Sequence, residues 1–410
     1  MEMPRLARIR QRFPAEAIDD VPAAVHAAVV ESGVATRLQP GAQVAITAGS
    51  RGIARIPTIL AALVSSLRGL GAEPFVVPAM GSHGGATTEG QRSVLAGYGI
   101  TEATVGAPIR ATMDVVQLGT TPQGVPVYMD RYAAQADGIV VAGRVKPHTG
   151  FRASIESGLC KMLAIGLGKQ RGAETIHARG LAEHIPDVAA VAIEAAPVAM
   201  GLAIVENSYE QPYRIVGTPP EQIHETDREL LVEAKALLPR IPFDDLDVLI
   251  VDWLGKNISG SGMDPNVIGL WRRLGGERRP DYRRIFVRDI TPESHGNALG
   301  VGWADFTTRR LVEQIDYDAM YMNCLTANAP DVGRVPITLD NDRVAVAAAL
   351  KTAGADATPR LARVHSTLQL EHLSVSEALL PEVAANPQVE VLSAPAPMAF
   401  DTAGNLVGDL

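Results

Sequence analysis

The sequence has few cysteines, few aromatic residues and no excess of positive charge. Its two cysteines, Cys160 and Cys324, lie far apart, so a disulfide framework is not indicated and a reducing compartment is expected. The net charge of −9 argues against nucleic-acid binding, although a local basic pocket for a small anion is compatible with it. Because only 4% of the residues are aromatic, small aliphatic side chains must build the core, as is typical of parallel α/β folds.

Long uncharged apolar runs are also missing. Residues 1–20 lack the apolar segment of a signal peptide. The segment closest to a membrane span, Pro186–Met200, is short and contains Asp187 and Glu194. We therefore expect a cytoplasmic protein that binds neither membrane nor nucleic acid.

The order of elements predicts two α/β domains with mainly parallel sheets, residues 1–243 and 244–410, and an active-site cleft between them. We expect the first domain to hold the catalytic site and the second to close the cleft. In the first, strands near 41–47, 73–80, 136–143 and 200–206 alternate with helices near 22–36, 56–70, 88–98 and 219–238. In the second, strands are expected near 247–252, 284–289 and 319–325, and helices near 297–315, 341–353 and 376–386.

Polar side chains follow four of these predicted strands. They are Arg51, His83, His148 and Lys256. In open parallel sheets, ligands bind outside the carboxyl ends of the strands. We therefore expect these four side chains to lie at one edge, and this convergence is better evidence for a site than any single motif.

Each candidate also has a simpler interpretation. Arg51, in a Gly-Ser-Arg-Gly turn, could clamp a carboxylate or be an ordinary surface arginine. His83, between glycines, and His148, after a proline, could act as general bases or merely satisfy loop carbonyls. Lys256 and Arg272 could add positive charge from the second domain.

Lys161 and His177 are the remaining candidates. Lys161 lies among apolar residues, where a lysine either extends to water or becomes a desolvated nucleophile. His177 could ligate a metal, but no nearby Cys/His spacing matches a structural zinc site. The two residues are sixteen positions apart, roughly 24 Å on an unbroken helix. They can share a site only if the chain folds back, for which Gly166, Gly168 and Gly172 are the expected places.

Together these motifs resemble the nickel-pincer lactate racemase family. The resemblance rests on the Gly-Ser-His turn at 81–83, the GRVKPH stretch at 143–148, the spacing from Lys161 to His177, and Arg51, within about residues 40–340. It implies a nickel-pincer nucleotide, pyridinium-3,5-bisthiocarboxylic acid mononucleotide nickel, made by separate maturation proteins. In the family the cofactor can be tethered to a lysine, here Lys161, and the nickel would be ligated by His177.

The resemblance further implies a racemase or epimerase of a 2-hydroxy acid that works by reversible hydride transfer to this cofactor. His83 and His148 would be the acid/base pair, Arg51 would hold the carboxylate, and Arg272 would match a basic position of the substrate pocket. Gly269 replaces a pocket glutamine of the family, which suits an acid larger than lactate. The alternatives are a non-catalytic carboxylate-binding protein, or a metal-dependent hydrolase with His148 and His177 as ligands.

Overall fold

The computed structural model describes residues 3–326, 328–355 and 358–408. The chain divides into two compact units: the first unit is Pro14–Leu238, and the second unit is Met1–Phe13 with Pro239–Leu410. The predicted boundary at residue 243 lies close to Leu238, where the first unit ends. However, residues 1–13, predicted in the first domain, belong to the second unit. The reason is that Arg5–Gln11 pairs with three strands near the end of the chain, which no local pattern indicates.

The strands are numbered in chain order. They are β1 (Arg5–Gln11), β2 (Gln43–Ala48), β3 (Glu73–Pro78), β4 (Val115–Thr120), β5 (Pro126–Asp130), β6 (Gly138–Arg144), β7 (Val198–Glu206), β8 (Pro212–Thr218), β9 (Asp245–Leu254), β10 (Asp281–Ile290), β11 (Phe306–Thr308), β12 (Ile337–Leu339), β13 (Leu361–Val364), β14 (His372–Ser376), β15 (Val389–Val391) and β16 (Ala396–Pro397).

The α-helices are numbered in the same way. They are α1 (Val21–Glu31), α2 (Ile56–Gly69), α3 (Thr88–Gly97), α4 (Glu102–Val105), α5 (Arg131–Ala134), α6 (Leu159–Lys161), α7 (Lys169–His177), α8 (Leu181–Ala195), α9 (Ile223–Ala236), α10 (Pro265–Ile268), α11 (Trp271–Leu274), α12 (Arg309–Val312), α13 (Tyr317–Thr326), α14 (Asp342–Ala353) and α15 (Leu380–Ala385). A π-helical turn, Met162–Gly166, follows α6.

The first unit is built on a five-stranded sheet with the order β3-β2-β6-β7-β8. The pairs from β3 to β7 are parallel, and β8 runs antiparallel at the edge. Both faces are covered, because Val44 and Ile46 pack into one apolar cluster with α1 and α2, whereas Ala45 packs into another with α8 and α9. Strands buried on both faces read as continuous apolar runs, which is why the sequence predicts them well.

The second unit contains a larger mixed sheet, with the order β12-β11-β10-β9-β13-β14-β1-β15 and β16 beside β1. The pairs from β12 to β13 are parallel, and the pairs from β13 to β15 are antiparallel. Helix α14 packs on one face of this sheet through Ala345 and Val346. The prediction of α/β architecture with mainly parallel sheets is confirmed.

Two predictions in the second unit are wrong. Residues 319–325, predicted as a strand, lie within helix α13, whose start is capped by Asp316 accepting from Ala319 N at 2.9 Å. Short apolar runs do not distinguish a strand from a helix. The predicted helix near 297–315 is instead a 3₁₀ turn, Val301–Trp303, followed by β11 and α12. Within the described ranges, no helix is long and apolar enough to cross a membrane.

Candidate functional site

Three of the sequence-predicted side chains follow neighbouring parallel strands of the first unit. Arg51 follows β2, His83 follows β3 and His148 follows β6, so all three start from the carboxyl edge of one sheet. Lys256 does not, because the strand before it, β9, belongs to the sheet of the second unit. The expectation of one edge for all four side chains is therefore wrong for Lys256, since strand pairing could not be read from the order of elements.

The turns that carry Arg51 and His83 are joined by hydrogen bonds. Ser50, the residue before Arg51, bonds through its hydroxyl to Nδ1 of His83. Tyr98 holds the same turn, since its hydroxyl donates to the Ser50 carbonyl at 3.1 Å. The side chains of Arg51 and His83 are both exposed to solvent. Ser50 thus orients one ring nitrogen of His83, a role that the sequence analysis missed.

The segment with Lys161 crosses the ends of these strands at very short range. If Gly143, near the end of β6, carried a β-carbon, that atom would lie 2.7 Å from Met162 Cγ. A β-carbon on Gly49, just after β2, would lie 3.5 Å from Met162 Cε. A β-carbon on Gly166 would lie 2.7 Å from the carbonyl oxygen of Ala79, just past β3. Residues 161–166 therefore lie against the carboxyl edge from β6 to β3, and glycine is needed for this close approach.

Lys161 lies in a positively charged environment. Its half-buried side chain is desolvated, and this effect, followed by the charges of Arg51 and Lys146, lowers its pKa to about 7. Arg51 is therefore close enough to Lys161 for its charge to lower the Lys161 pKa. Lys146 was not among the predicted site residues, although its position two residues before His148 pointed to it. A lysine with so low a pKa is largely an unprotonated, nucleophilic amine above neutrality.

A buried aspartate from a distant helix anchors this segment. Asp227 of α9 accepts from the backbone N–H of Leu159 at 2.9 Å and of Cys160 at 2.8 Å. Burial raises the pKa of Asp227 to about 6, against the opposing effect of these hydrogen bonds. Asp227 therefore fixes the start of α6, immediately before Lys161. No local signal in the sequence distinguishes it from other polar residues of an amphipathic helix.

The loop with His148 is held by a buried carboxylate. Glu156 accepts from the His148 N–H at 2.8 Å, and its other oxygen accepts from Lys235 Nζ at 2.7 Å. The Gly150 N–H donates to Nδ1 of His148 at 3.0 Å, so the neutral ring carries its proton on Nε2. Phe151 packs against this ring with the two centroids 4.3 Å apart. Nothing in the local sequence marks Glu156 as a residue that positions His148.

His177 is the last residue of α7, and its side chain is exposed. Its Nδ1–H donates to the Ala173 carbonyl at 2.6 Å, which leaves Nε2 of the neutral ring with its lone pair. The same helix lies close to the His83 turn. A β-carbon added to Gly81 in that turn would be 3.4 Å from the β-carbon of Ala173 in α7. Between Lys161 and His177 the regular α-helix is interrupted by the π-helical turn and by a left-handed Lys169. Of the predicted glycines, Gly166 ends the π-helical turn, whereas Gly168 has right-handed helical dihedrals and Gly172 lies inside α7.

These residues fit a nickel-pincer cofactor by their chemistry. An unprotonated Lys161 amine is the form that can be acylated, and Nε2 of His177 is the form of imidazole that ligates a metal. In the part of the chain that the structure describes, no group of three His, Cys, Asp or Glu side chains could hold a metal ion.

The predicted residues of the second unit have structural contacts. Arg272 donates to the carbonyls of Trp303, at 3.0 Å, and Tyr282, and its side chain is largely buried. Lys256 Nζ donates to the Gly260 carbonyl at 2.6 Å and to Asn323 Oδ1 at 3.0 Å. These contacts give both residues a role in holding their own unit together. A role for either in substrate binding stays a prediction.

One of three comparisons with known proteins, a match to a family model, agrees with the motifs. Residues 14–186 match the family model of the lactate racemase N-terminal domain. The lactate racemase apoprotein from Thermoanaerobacterium thermosaccharolyticum is similar in structure, with a TM-score of 0.42 and 15% sequence identity over 68% of this chain and 69% of that chain. The comparison with curated proteins found no match. The family match begins at the first residue of the first unit and contains all five candidate residues from Arg51 to His177. Similarity to the lactate racemase N-terminal domain therefore extends over residues 14–186, which is less than half of the chain.

Proposed function

We propose that the protein is an isomerase that racemises or epimerises a 2-hydroxy acid with a nickel-pincer nucleotide. The observation that carries the proposal is the coupling of Arg51 and Lys161 at the sheet edge where Ser50 bonds to His83. This arrangement combines an anion-binding guanidinium, a nucleophilic amine and an imidazole. A site for a carboxylate substrate with a tethered cofactor requires these three groups.

Arg51 is assigned to the substrate carboxylate. The Arg51 side chain reaches solvent, although desolvation lowers the pKa of its guanidinium, and a guanidinium can donate two parallel hydrogen bonds to a carboxylate. Holding the carboxylate leaves the rest of a 2-hydroxy acid free to turn about this fixed end. Rotation of this kind is what allows the opposite face of the reacting carbon to be presented.

His83 and His148 are assigned to the proton of the substrate hydroxyl, one for each enantiomer. Ser50 can accept from Nδ1–H of His83, which leaves Nε2 as a base. A neutral His148 carries its proton on Nε2, because Nδ1 accepts from Gly150. The two rings can thus differ in protonation, one accepting a proton and one donating. For His148 to act as the base, its proton must move to Nδ1 and the Gly150 contact must open.

Lys161 and His177 are the residues that would hold the cofactor. When bound, the nickel-pincer nucleotide supplies an acceptor for the hydride of the substrate carbon. The protein supplies the amine of Lys161 for attachment, with Asp227 fixing the start of its helix, and Nε2 of His177 as a metal ligand. Separate maturation proteins would make the cofactor and are the expected partners of this chain.

The test compares protein made with and without cofactor-maturation proteins. Matured protein should contain nickel, should carry a mass increase on Lys161 if attachment is covalent, and should interconvert enantiomers of at least one acid in a panel containing lactate, malate, 2-hydroxyglutarate and sugar acids. Loading of a divalent metal without maturation would favour a hydrolase, and binding of the acids without turnover would favour a carboxylate-binding protein. Either result would reject the proposal.

Single substitutions assign the roles within an active enzyme. His83→Ala and His148→Ala should each abolish interconversion while nickel stays bound, and Arg51→Ala should mainly raise KM. His26→Ala is the matched control, since His26 is an exposed histidine of α1 in the same unit. Racemisation at the normal rate by either histidine variant would refute the two-base assignment.

A further inference from the structure

Lys169 is a buried cation that the proposed function does not use. Its side chain is 0% exposed, and its backbone has a φ of 53°, a left-handed conformation that a non-glycine residue adopts only under strain. Its Nζ lies 3.0 Å from the carboxylate of Asp130, which is also fully buried. Replacing such an ion pair by apolar side chains is often neutral or stabilising, so stability alone does not account for it.

The hydrogen bonds of Lys169 lead to the turn that carries His83. Nζ donates to the Pro78 carbonyl at the end of β3 and to Oε1 of Gln91 at 3.0 Å. Gln91, fully buried in α3, donates from Nε2 to the carbonyls of Gly81 at 2.9 Å and His83 at 3.3 Å. Lys169 therefore orients the Gln91 amide, and that amide binds the turn on both sides of Ser82.

The backbone around Lys169 determines where α7 begins. Lys169 is the first residue of this helix, and His177 is the last. Just before it, the Leu167 carbonyl accepts from the Asp130 N–H at 2.7 Å. Asp130 thus holds the start of α7 through its backbone and Lys169 through its carboxylate. One set of side chains is attached both to the helix with the predicted metal ligand and to the turn with a predicted base.

We propose that Lys169, Asp130 and Gln91, named here the Lys169 network, are positioning residues that hold the His83 turn in a fixed place relative to α7. None of the three is assigned a contact with substrate or cofactor. The network acts through the carbonyls of Gly81 and His83 and through the start of α7. Its effect on catalysis rests on the proposed function, but its effect on the His83 ring does not.

The deciding variant is Gln91→Met, which keeps the length of the side chain and removes its hydrogen bonds to the turn. Gln11→Met is the matched control. Gln11 is also a buried glutamine whose Nε2 donates to two carbonyls, those of Arg240 and Leu370, but it lies in the second unit. Both variants lose the same kind of contact, so a general loss of stability should affect both.

The first measurement is histidine NMR of the full-length, cofactor-free protein over a pH titration, with the His83 signal assigned through His83→Ala. We expect Gln91→Met to displace the chemical shift and titration midpoint of His83, and Gln11→Met to leave both unchanged. An unchanged His83 titration in folded Gln91→Met protein would overturn the proposal. This measurement needs no activity, so failure of the proposed racemase function would not be confused with failure of the network.

The second measurement uses matured enzyme. Gln91→Met should lower kcat roughly 10- to 100-fold, with KM changed less than about twofold, because a small misplacement of a catalytic group affects turnover more than carboxylate binding. An equal loss of kcat in Gln11→Met would overturn the positioning role. If Gln91→Met does not fold, the double variant Lys169→Met/Asp130→Asn replaces it, since it removes both buried charges together. Wild-type His83 titration in that variant would likewise reject the proposal.

Discussion

Lys161 should be acylated unusually fast in the cofactor-free protein. Its pKa is lowered from 10.5 to about 7, mainly by desolvation and then by the charges of Arg51 and Lys146. At pH 8 this leaves roughly 90% of the amine unprotonated, against roughly 0.3% for an ordinary lysine, a difference of roughly 300-fold. A less basic amine is also a weaker nucleophile, so we expect an observed advantage of roughly five- to tenfold.

Replacing Arg51 tests the electrostatic part of this explanation. Arg51→Met removes the larger of the two charge effects, so the Lys161 pKa should rise while desolvation keeps it below 10.5. If the Lys161 pKa rose by about one pH unit, the unprotonated fraction at pH 8 would fall from roughly 90% to roughly 50%. Arg68→Met is the matched control, because Arg68 is an exposed arginine at the end of α2 in the same unit.

The assay is competitive labelling with acetic anhydride between pH 6 and 10, read by peptide mass spectrometry. Lys351, an exposed lysine of α14, is the internal reference. Arg51→Met should move the Lys161 midpoint upward, and Arg68→Met should not. A wild-type midpoint within about one pH unit of 10.5 would refute the proposed environment of Lys161. A midpoint that does not respond to Arg51→Met would refute the charge coupling.

Three further predictions concern stability and local order. Lys161→Met should stabilise the protein most below pH 7 and progressively less up to pH 10.5, because a lowered lysine pKa makes the folded state bind fewer protons than the unfolded chain in that window; urea unfolding at pH 6 and pH 10 checks the sign. Asp227→Asn should speed amide hydrogen exchange over 159–163, since an amide cannot accept both backbone N–H groups; unchanged exchange would exclude the anchoring role. Glu156→Gln should lower the free energy of unfolding by roughly 1–3 kcal/mol, because it leaves buried donors poorly paired, whereas the exposed Glu225→Gln should change it by less than about 0.5 kcal/mol; equal effects would contradict this.

Elements built from local patterns were predictable from the sequence. The strands β2, β3 and β6 are continuous apolar runs, and polar glycine-rich turns follow them directly. Parallel strands place their carboxyl ends together, so the sequence indicated one sheet edge for Arg51 and His83, and the fold supplied the pairing of β2 with β3. Helix α13 shows the limit, because its ten residues contain an apolar run that suits a strand equally well.

The partners that hold the site were not predictable in this way. Asp227 lies 67 residues from Cys160, and Lys169 lies 78 residues from Gln91. Nothing in the local sequence of a helix shows which of its polar residues turns inward to meet a distant backbone group. The pairing of strand β1 was equally unpredictable, because its partner strands lie more than 350 residues away along the chain.

The sequence by itself therefore determined which chemical groups are present, and that several of them directly follow predicted strands. Local backbone preferences and apolar periodicity act over a few residues, and these are readable in one dimension. The tertiary structure alone decided the protonation and orientation of those groups: the lowered pKa of Lys161, the tautomer of His148, and the links from Lys169 to the His83 turn. Desolvation and hydrogen bonding depend on which distant segments surround a side chain, and only folding brings those segments together.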